Sequence, residues 1–177
     1  MQRLEEAVQI IRKMWTEETS TFNGKFYQIQ NAYCNPKPIQ KPHPPIMIGG
    51  SGEHRTLKIV AKYGDACNLF GSVETVKKKL AVLREHCRSV GRDYDSIIKS
   101  KLGHVVIETD KEKVAGAVKG MPEDMRQEYV IYGTPEEVRR QVEAFRDAGV
   151  EYLIVNLEPD RELQALELFA NEVVKKL

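Results

Sequence analysis

The stretch Ile46-Met47-Ile48-Gly49-Gly50-Ser51-Gly52-Glu53 decides how this chain folds. A short apolar run rich in β-branched residues reads as a buried strand, and two glycines end it. Glu53 to Tyr63 then sets Leu57, Val60 and Ala61 on the inner face of a helix. A strand that passes through a glycine turn into a helix is a βα step. Toward the C-terminus the step repeats. Ala66 to Phe70 reads as a strand and Ser72 to Val90 as a helix closed by Gly91. Leu102 to Ile107 reads as a third strand, and residues 110–130 as helical but interrupted by Gly120 and Pro122. Thr134-Pro135-Glu136-Glu137 combines a cap, a proline at the first helical position and a capping-box glutamate, so a helix starts there and runs to about Ala148, before Gly149. Tyr152 to Leu157 reads as a fourth strand, and Asp160 caps a last helix that ends at Leu177.

Toward the N-terminus, Leu4, Val8, Ile11 and Trp15 form one helical stripe, which assigns residues 1–15 to a helix. Residues 16–45 read as a hairpin around Asn23-Gly24 and an extended connection holding Pro36, Pro38, Pro42, Pro44 and Pro45. Residues 46–177 carry the four βα units, and residues 1–177 read as one α/β domain with four parallel strands and outer helices. Four units are half of a TIM (β/α)₈ barrel, which takes about 250 residues. An open sheet, a half-barrel and a piece of a longer protein all fit the rhythm. Open strand edges and an apolar inner face, expected to carry Ile46, Ile48, Val105 or its neighbours, and Leu153 or Ile154, predict a homo-oligomer or a complementing N-terminal half.

Basic and acidic residues number 27 and 26, a formal net charge of +1, so neither nucleic acid nor an anionic membrane is expected as partner. The longest apolar runs fall short of the roughly 20 residues that cross a bilayer. Met1 leads straight into Arg3-Leu4-Glu5-Glu6 without a signal peptide, which predicts a cytoplasmic protein. Cys34, Cys67 and Cys87 form neither a disulfide framework nor a CxxC motif, and the histidines lack metal-ligand spacing, so no metal is expected.

The best candidate for chemistry is again the turn. Gly49, Gly50 and Gly52 let backbone approach an anion, the Ser51 hydroxyl adds a donor, and helix N–H groups follow. That design suits a phosphate, although neither Gly-Lys-Ser/Thr nor a full GxGxxG is present. A tight βα turn with Ser51 as helix cap reads the same residues equally well. The active face of a barrel lies at the C-terminal ends of its strands, which nominates Asn68, Gly71, Glu108, Asn156 and Glu158. His104 reads as a core histidine. Lys77-Lys78-Lys79 reads as the wet face of a helix from which one lysine could reach a phosphate.

As a set, these motifs resemble the luciferase-like monooxygenase superfamily. The resemblance runs from Arg3–Ile11 with Met14-Trp15, through Pro36-Lys37-Pro38 and Gln40–Glu53, to Tyr63-Gly64-Asp65-Ala66-Cys67-Asn68, where Gly64 replaces an alanine. It continues at Gly133–Val138 and Asp147–Val150. It implies the C-terminal half of a TIM barrel with coenzyme F420 or FMN at the strand ends. The Gly-Gly-Ser-Gly-Glu form is closer to the F420 branch, whose corresponding loop contacts the cofactor phosphate. The resemblance therefore carries cofactor binding to Gly49, Gly50, Ser51, Gly52, Glu53 and Asn68, with Gly71 beside them. It implies a hydride-transfer oxidoreductase acting on a small molecule. The strands that supply catalytic side chains are absent, so none is assigned and a chain inactive alone is expected. An FMN-dependent monooxygenase half and a non-catalytic anion-binding half-barrel are the alternatives.

Overall fold

The computed structural model describes residues 2–157 and 162–177, with Glu162 in backbone only. The expected Asp160 cap and Glu158 lie outside the described residues. Helix α1 (Gln2–Thr16) leads into an antiparallel hairpin of β1 (Ser20–Asn23) and β2 (Gln28–Ala32). Glu6 of α1 holds the hairpin tip, its carboxylate accepting from the Lys25, Phe26 and Tyr27 N–H groups at 3.0, 2.9 and 3.0 Å. Lys37 pins the proline-rich connection to the other end of α1, donating to the Met14 and Glu17 carbonyls at 2.7 and 2.5 Å. Helix C-termini leave such carbonyls without partners, and a cation there also suits the helix dipole.

Among the described residues five parallel strands follow: β3 (Met47–Gly49), β4 (Ala66–Leu69), β5 (Ile98–Ile107), β6 (Val130–Gly133) and β7 (Tyr152–Leu157). The helices are α2 (Thr56–Tyr63), α3 (Val73–Val90), α4 (Lys111–Ala117), α5 (Glu123–Tyr129), α6 (Pro135–Asp147) and α7 (Glu162–Glu172). β3 pairs with β4, β4 with β5, and β5 with both β6 and β7, all parallel. The result is a parallel α/β sheet with helices packed against it, a partial barrel as the rhythm predicts.

Strand β6 was not expected. It forms because Val130-Ile131-Tyr132 can lie along the end of β5, and α5 runs into it without a turn residue that would mark the change. Residues 100 and 101 pair with both β4 and β7, while 104 and 105 pair with both β6 and β7. So β4 and β6 share one edge of β5, end to end, and β7 takes the other. β5 also begins four residues earlier than its apolar run, at Ile98. Lys99, Ser100 and Lys101 broke the hydrophobic pattern, yet all three are buried.

The sheet has two different faces. Ile46, Ile48, Cys67, Leu69, Val105 and Ile131 pack with Leu57, Val76, Leu83 and Val138 from α2, α3 and α6 in the main core. Burying one such aliphatic side chain is worth roughly 1.5–3 kcal/mol. Strand residues alternate, so the opposite face carries Met47, Gly49, Asn68, Ile98, Ser100, His104, Ile154 and Asn156. This corrects the expected inner face in part: Ile46, Ile48, Val105 and Leu153 belong to the helix side, whereas the alternatives Ile154 and the neighbours of Val105 lie on the open face, where Met47, Ile98 and Tyr152 are exposed. A second cluster of Val106, Val118 and Val130 covers the far end of that open face.

Candidate functional site

The turn after β3 departs from expectation in one respect. α2 starts at Thr56 rather than Glu53, and Arg55 is its N-cap without a side-chain bond. Ser51 is therefore not the helix cap. Its hydroxyl instead accepts from the Phe70 N–H at 3.3 Å, tying the turn after β3 to the turn after β4. Gly50 has φ +119°, which excludes L side chains without strain, and its N–H donates to the Asn68 carbonyl at 3.1 Å. Among the described residues the N–H groups of Ser51 and Gly52 meet no acceptor. Gly49 lies on the open face, and a Cβ built there would meet nothing within 4 Å.

Asn68 stands beside Gly49 in register and is half-buried. The buried Ser100 hydroxyl lies 3.2 Å from Asn68 Oδ1 and 2.7 Å from the Cys67 carbonyl, with one hydrogen to share between them. Gly49, Asn68, Ser100 and Tyr152 thus form one row across four strands. Glu53 is committed elsewhere: its carboxylate accepts from Lys79 at 2.7 Å and pairs with Lys78 at 3.5 Å, and His86 bonds its carbonyl at 2.7 Å. The Lys79 hydrogen bond leads the effects that hold its carboxyl below the usual range. Lys78 and Lys79, part of the run read as a wet helix face from which one lysine could reach a phosphate, thus anchor the turn to α3.

Gly71 has φ +125°, and a Cβ there would collide with Thr75 Cγ2. It serves a tight turn into α3, where Ser72 is the cap. The N-terminus of α3 already holds an anion. Glu128 accepts from the Ser72 N–H at 3.1 Å and from the Thr75 hydroxyl at 3.2 Å, and the Ser72 backbone bond leads in holding its carboxyl below the usual range. Of the two neighbouring βα turns, the one after β3 is therefore the better place for an external anion.

The remaining nominees are dispersed. Asn156 and His104 sit opposite each other on the open face, further along β5. Glu108 lines a cavity of about 920 Å³ between α4 and α7, with Ile107, Lys113 and Leu168, which the Gly49–Glu53 turn does not reach. The turn remains the stronger candidate because its backbone donors lack partners, whereas Lys113 in the cavity already bonds Thr109 and Asp110. Among the described residues no cluster of metal-ligating side chains exists, and no helix is long and apolar enough to cross a membrane. Burial pushes the Cys67 thiol up to about 11, which makes it inert. Sequence reading missed Ser100 and Glu128. Ser100 was masked by flanking lysines, though its even spacing from Ile98 and Leu102 would have placed it on the open face.

The comparisons with known proteins bear on the family and the fold. The chain is 24% identical to an F420-dependent glucose-6-phosphate dehydrogenase of Segniliparus rotundus, over 99% of this chain and 60% of that protein. It is 25% identical to an FMNH(2)-dependent dimethylsulfone monooxygenase of Pseudomonas putida, over 86% of this chain and 52% of that protein. The structure of a coenzyme F420-dependent tetrahydromethanopterin reductase from Methanopyrus kandleri superimposes with a TM-score of 0.83 at 20% identity, over 99% of this chain and 63% of that one. The chain therefore spans little more than half the length of these relatives. The sequence model described as luciferase-like monooxygenase matches residues 1–115, and the chain belongs to that family.

Proposed function

We propose that this chain is the cofactor-phosphate-holding portion of an F420-dependent hydride-transfer oxidoreductase. Gly49, Gly50, Ser51 and Gly52 hold the phosphate, Glu53 fixes the turn to α3, and Asn68 and Gly71 shape the adjoining strand end. One observation carries the reading: the turn at the C-terminal end of β3 offers the Ser51 and Gly52 N–H groups beside open space over Gly49. The site fits a phosphate-bearing cofactor on those grounds, and the F420-dependent relative supports the deazaflavin. When bound, the deazaflavin supplies two-electron hydride chemistry. The residues of this chain bind and orient it. No side chain of this chain is assigned to proton transfer, and the substrate is a small molecule of open class.

FMN is the second reading, supported by the FMNH(2)-dependent relative. Titrating the chain with F420, FMN and inorganic phosphate separates the readings. Saturable F420 binding, followed by absorbance and weakened in Gly49→Val, supports the proposal. Tighter binding of FMN selects the second reading, and phosphate binding without either cofactor leaves an anion-binding module. The reading also includes self-association through the exposed Met47, Ile98 and Tyr152 of the open face, with a second copy as the partner. A monomer at high concentration in sedimentation velocity would rule that out.

A further inference from the structure

At the opposite end of the sheet, where β5 and β7 begin, a cavity of about 630 Å³ is walled by α3, the turn before β5 and the loop from α6 to β7. Its ionisable lining is Lys77, Arg84, Lys99 and Arg146 against Asp95 and Glu151. Glu151 is spent on Lys99: its carboxylate accepts from the Lys99 N–H at 3.0 Å and pairs with Lys99 Nζ at 3.0 Å. The Lys99 side chain is only 5% exposed. Tyr94 receives two cations on one ring, Arg84 at 4.6 Å and Lys99 at 4.7 Å from the centroid. That contact keeps the Arg84 guanidinium against the wall.

The other cations have weak partners. Among the described residues no carboxylate comes within 4.0 Å of Arg84. Arg146 meets only its exposed neighbour Asp147, at 3.4 Å, and Lys77 meets exposed Glu74 at 4.0 Å. At the C-terminus of α6, Gly149 and Val150 donate back to the Arg146 and Phe145 carbonyls at 2.8 and 3.0 Å, so two of its last carbonyls are already satisfied. Four cations against two carboxylates leave the lining net positive, and a concave surface with an excess of one sign of charge concentrates ions of the other sign. Guanidinium groups from two helices suit the oxygens of phosphate or carboxylate.

We propose that this cavity binds a small multivalent oxyanion between Arg84 of α3 and Arg146 of α6, with Lys77 at its rim. It lies at the N-terminal ends of the strands, away from the Gly49–Glu53 turn, and so serves an effector rather than the cofactor. The test is a titration of the ¹⁵N-labelled chain at low ionic strength with inorganic pyrophosphate and, separately, with citrate. Saturable shifts of the Tyr94, Gly149, Val150 and Glu151 amides are expected, and the probe that saturates identifies phosphate or carboxylate as the ligand class. Ser51 and Gly52 amides in the same spectra report the other site, so the two proposals fail independently. Arg84→Gln and Arg146→Gln should each weaken binding about tenfold, the worth of one charge-assisted contact, and Arg140→Gln should not. If Arg84→Gln disturbs the Tyr94 wall, Arg146→Gln and Lys77→Gln, both at exposed positions, still carry the test. Non-saturating shifts with both probes, or Arg146→Gln binding like the native chain, would overturn the proposal.

Discussion

Glu128, in the last turn of α5, places its carboxylate on Ser72, the cap of α3, across 56 residues of sequence. The pair fastens the turn after β4 to the start of β6 and fills the positive end of α3 from within the chain. Replacing Glu128 by alanine should lower stability by about 1 kcal/mol, the worth of a helix cap. The carboxyl is held below its ordinary value in the fold, so its contribution is present above the unfolded pKa and fades as pH falls through the folded one. Urea unfolding at pH 7 and at about pH 3 should show the gap between native and Glu128→Ala closing in acid. An equal gap at both pH values would contradict this.

Gly49 and Gly50 are neighbours with opposite tolerance. Gly50→Ala should cost roughly 1–3 kcal/mol, because an L residue is strained at φ +119°. Gly49→Ala enters open space and should shift stability by less than about 0.5 kcal/mol. Thermal melts of the two variants settle the order, and any binding test by substitution belongs at Gly49.

Ser51→Ala removes the acceptor of the Phe70 N–H and should cost about 1 kcal/mol. Amide exchange should quicken at Phe70 while the first turn of α2 is unchanged. Faster exchange at Thr56 and Leu57 instead would return Ser51 to the role of helix cap.

Lys101 is buried with one carbonyl partner, Leu102 at 3.1 Å, and the Phe145 ring at 4.6 Å. Burial lowers its pKa to about 8. Between that pH and the ordinary lysine value the unfolded chain binds the extra proton, so stability rises with pH across the window. Lys101→Met should be the more stable protein at pH 7, by roughly 1–4 kcal/mol. Its advantage should shrink toward pH 10 in paired urea titrations. An advantage that does not vary with pH would show that packing, not charge, sets it.

The sequence by itself determined the order of β3, β4, β5 and β7 with their helices, the hairpin at Asn23-Gly24, the capping box at Thr134 and Glu137, and the glycine turn at the end of β3. These features are local: a cap, a turn or a periodic stripe acts within a few residues, where sequence spacing and spatial distance coincide. Tertiary structure decided the rest. Strand β6 exists because β5 is long enough to pair with two strands along one edge. Lys99 and Lys101 could not be read as buried, since their stems and charges find Glu151, Tyr94 and Phe145 only after folding. The roles of Glu53 and Ser51 were reassigned for the same reason. Lys79 lies 26 residues away and Phe70 19, distances that no local rule of spacing connects.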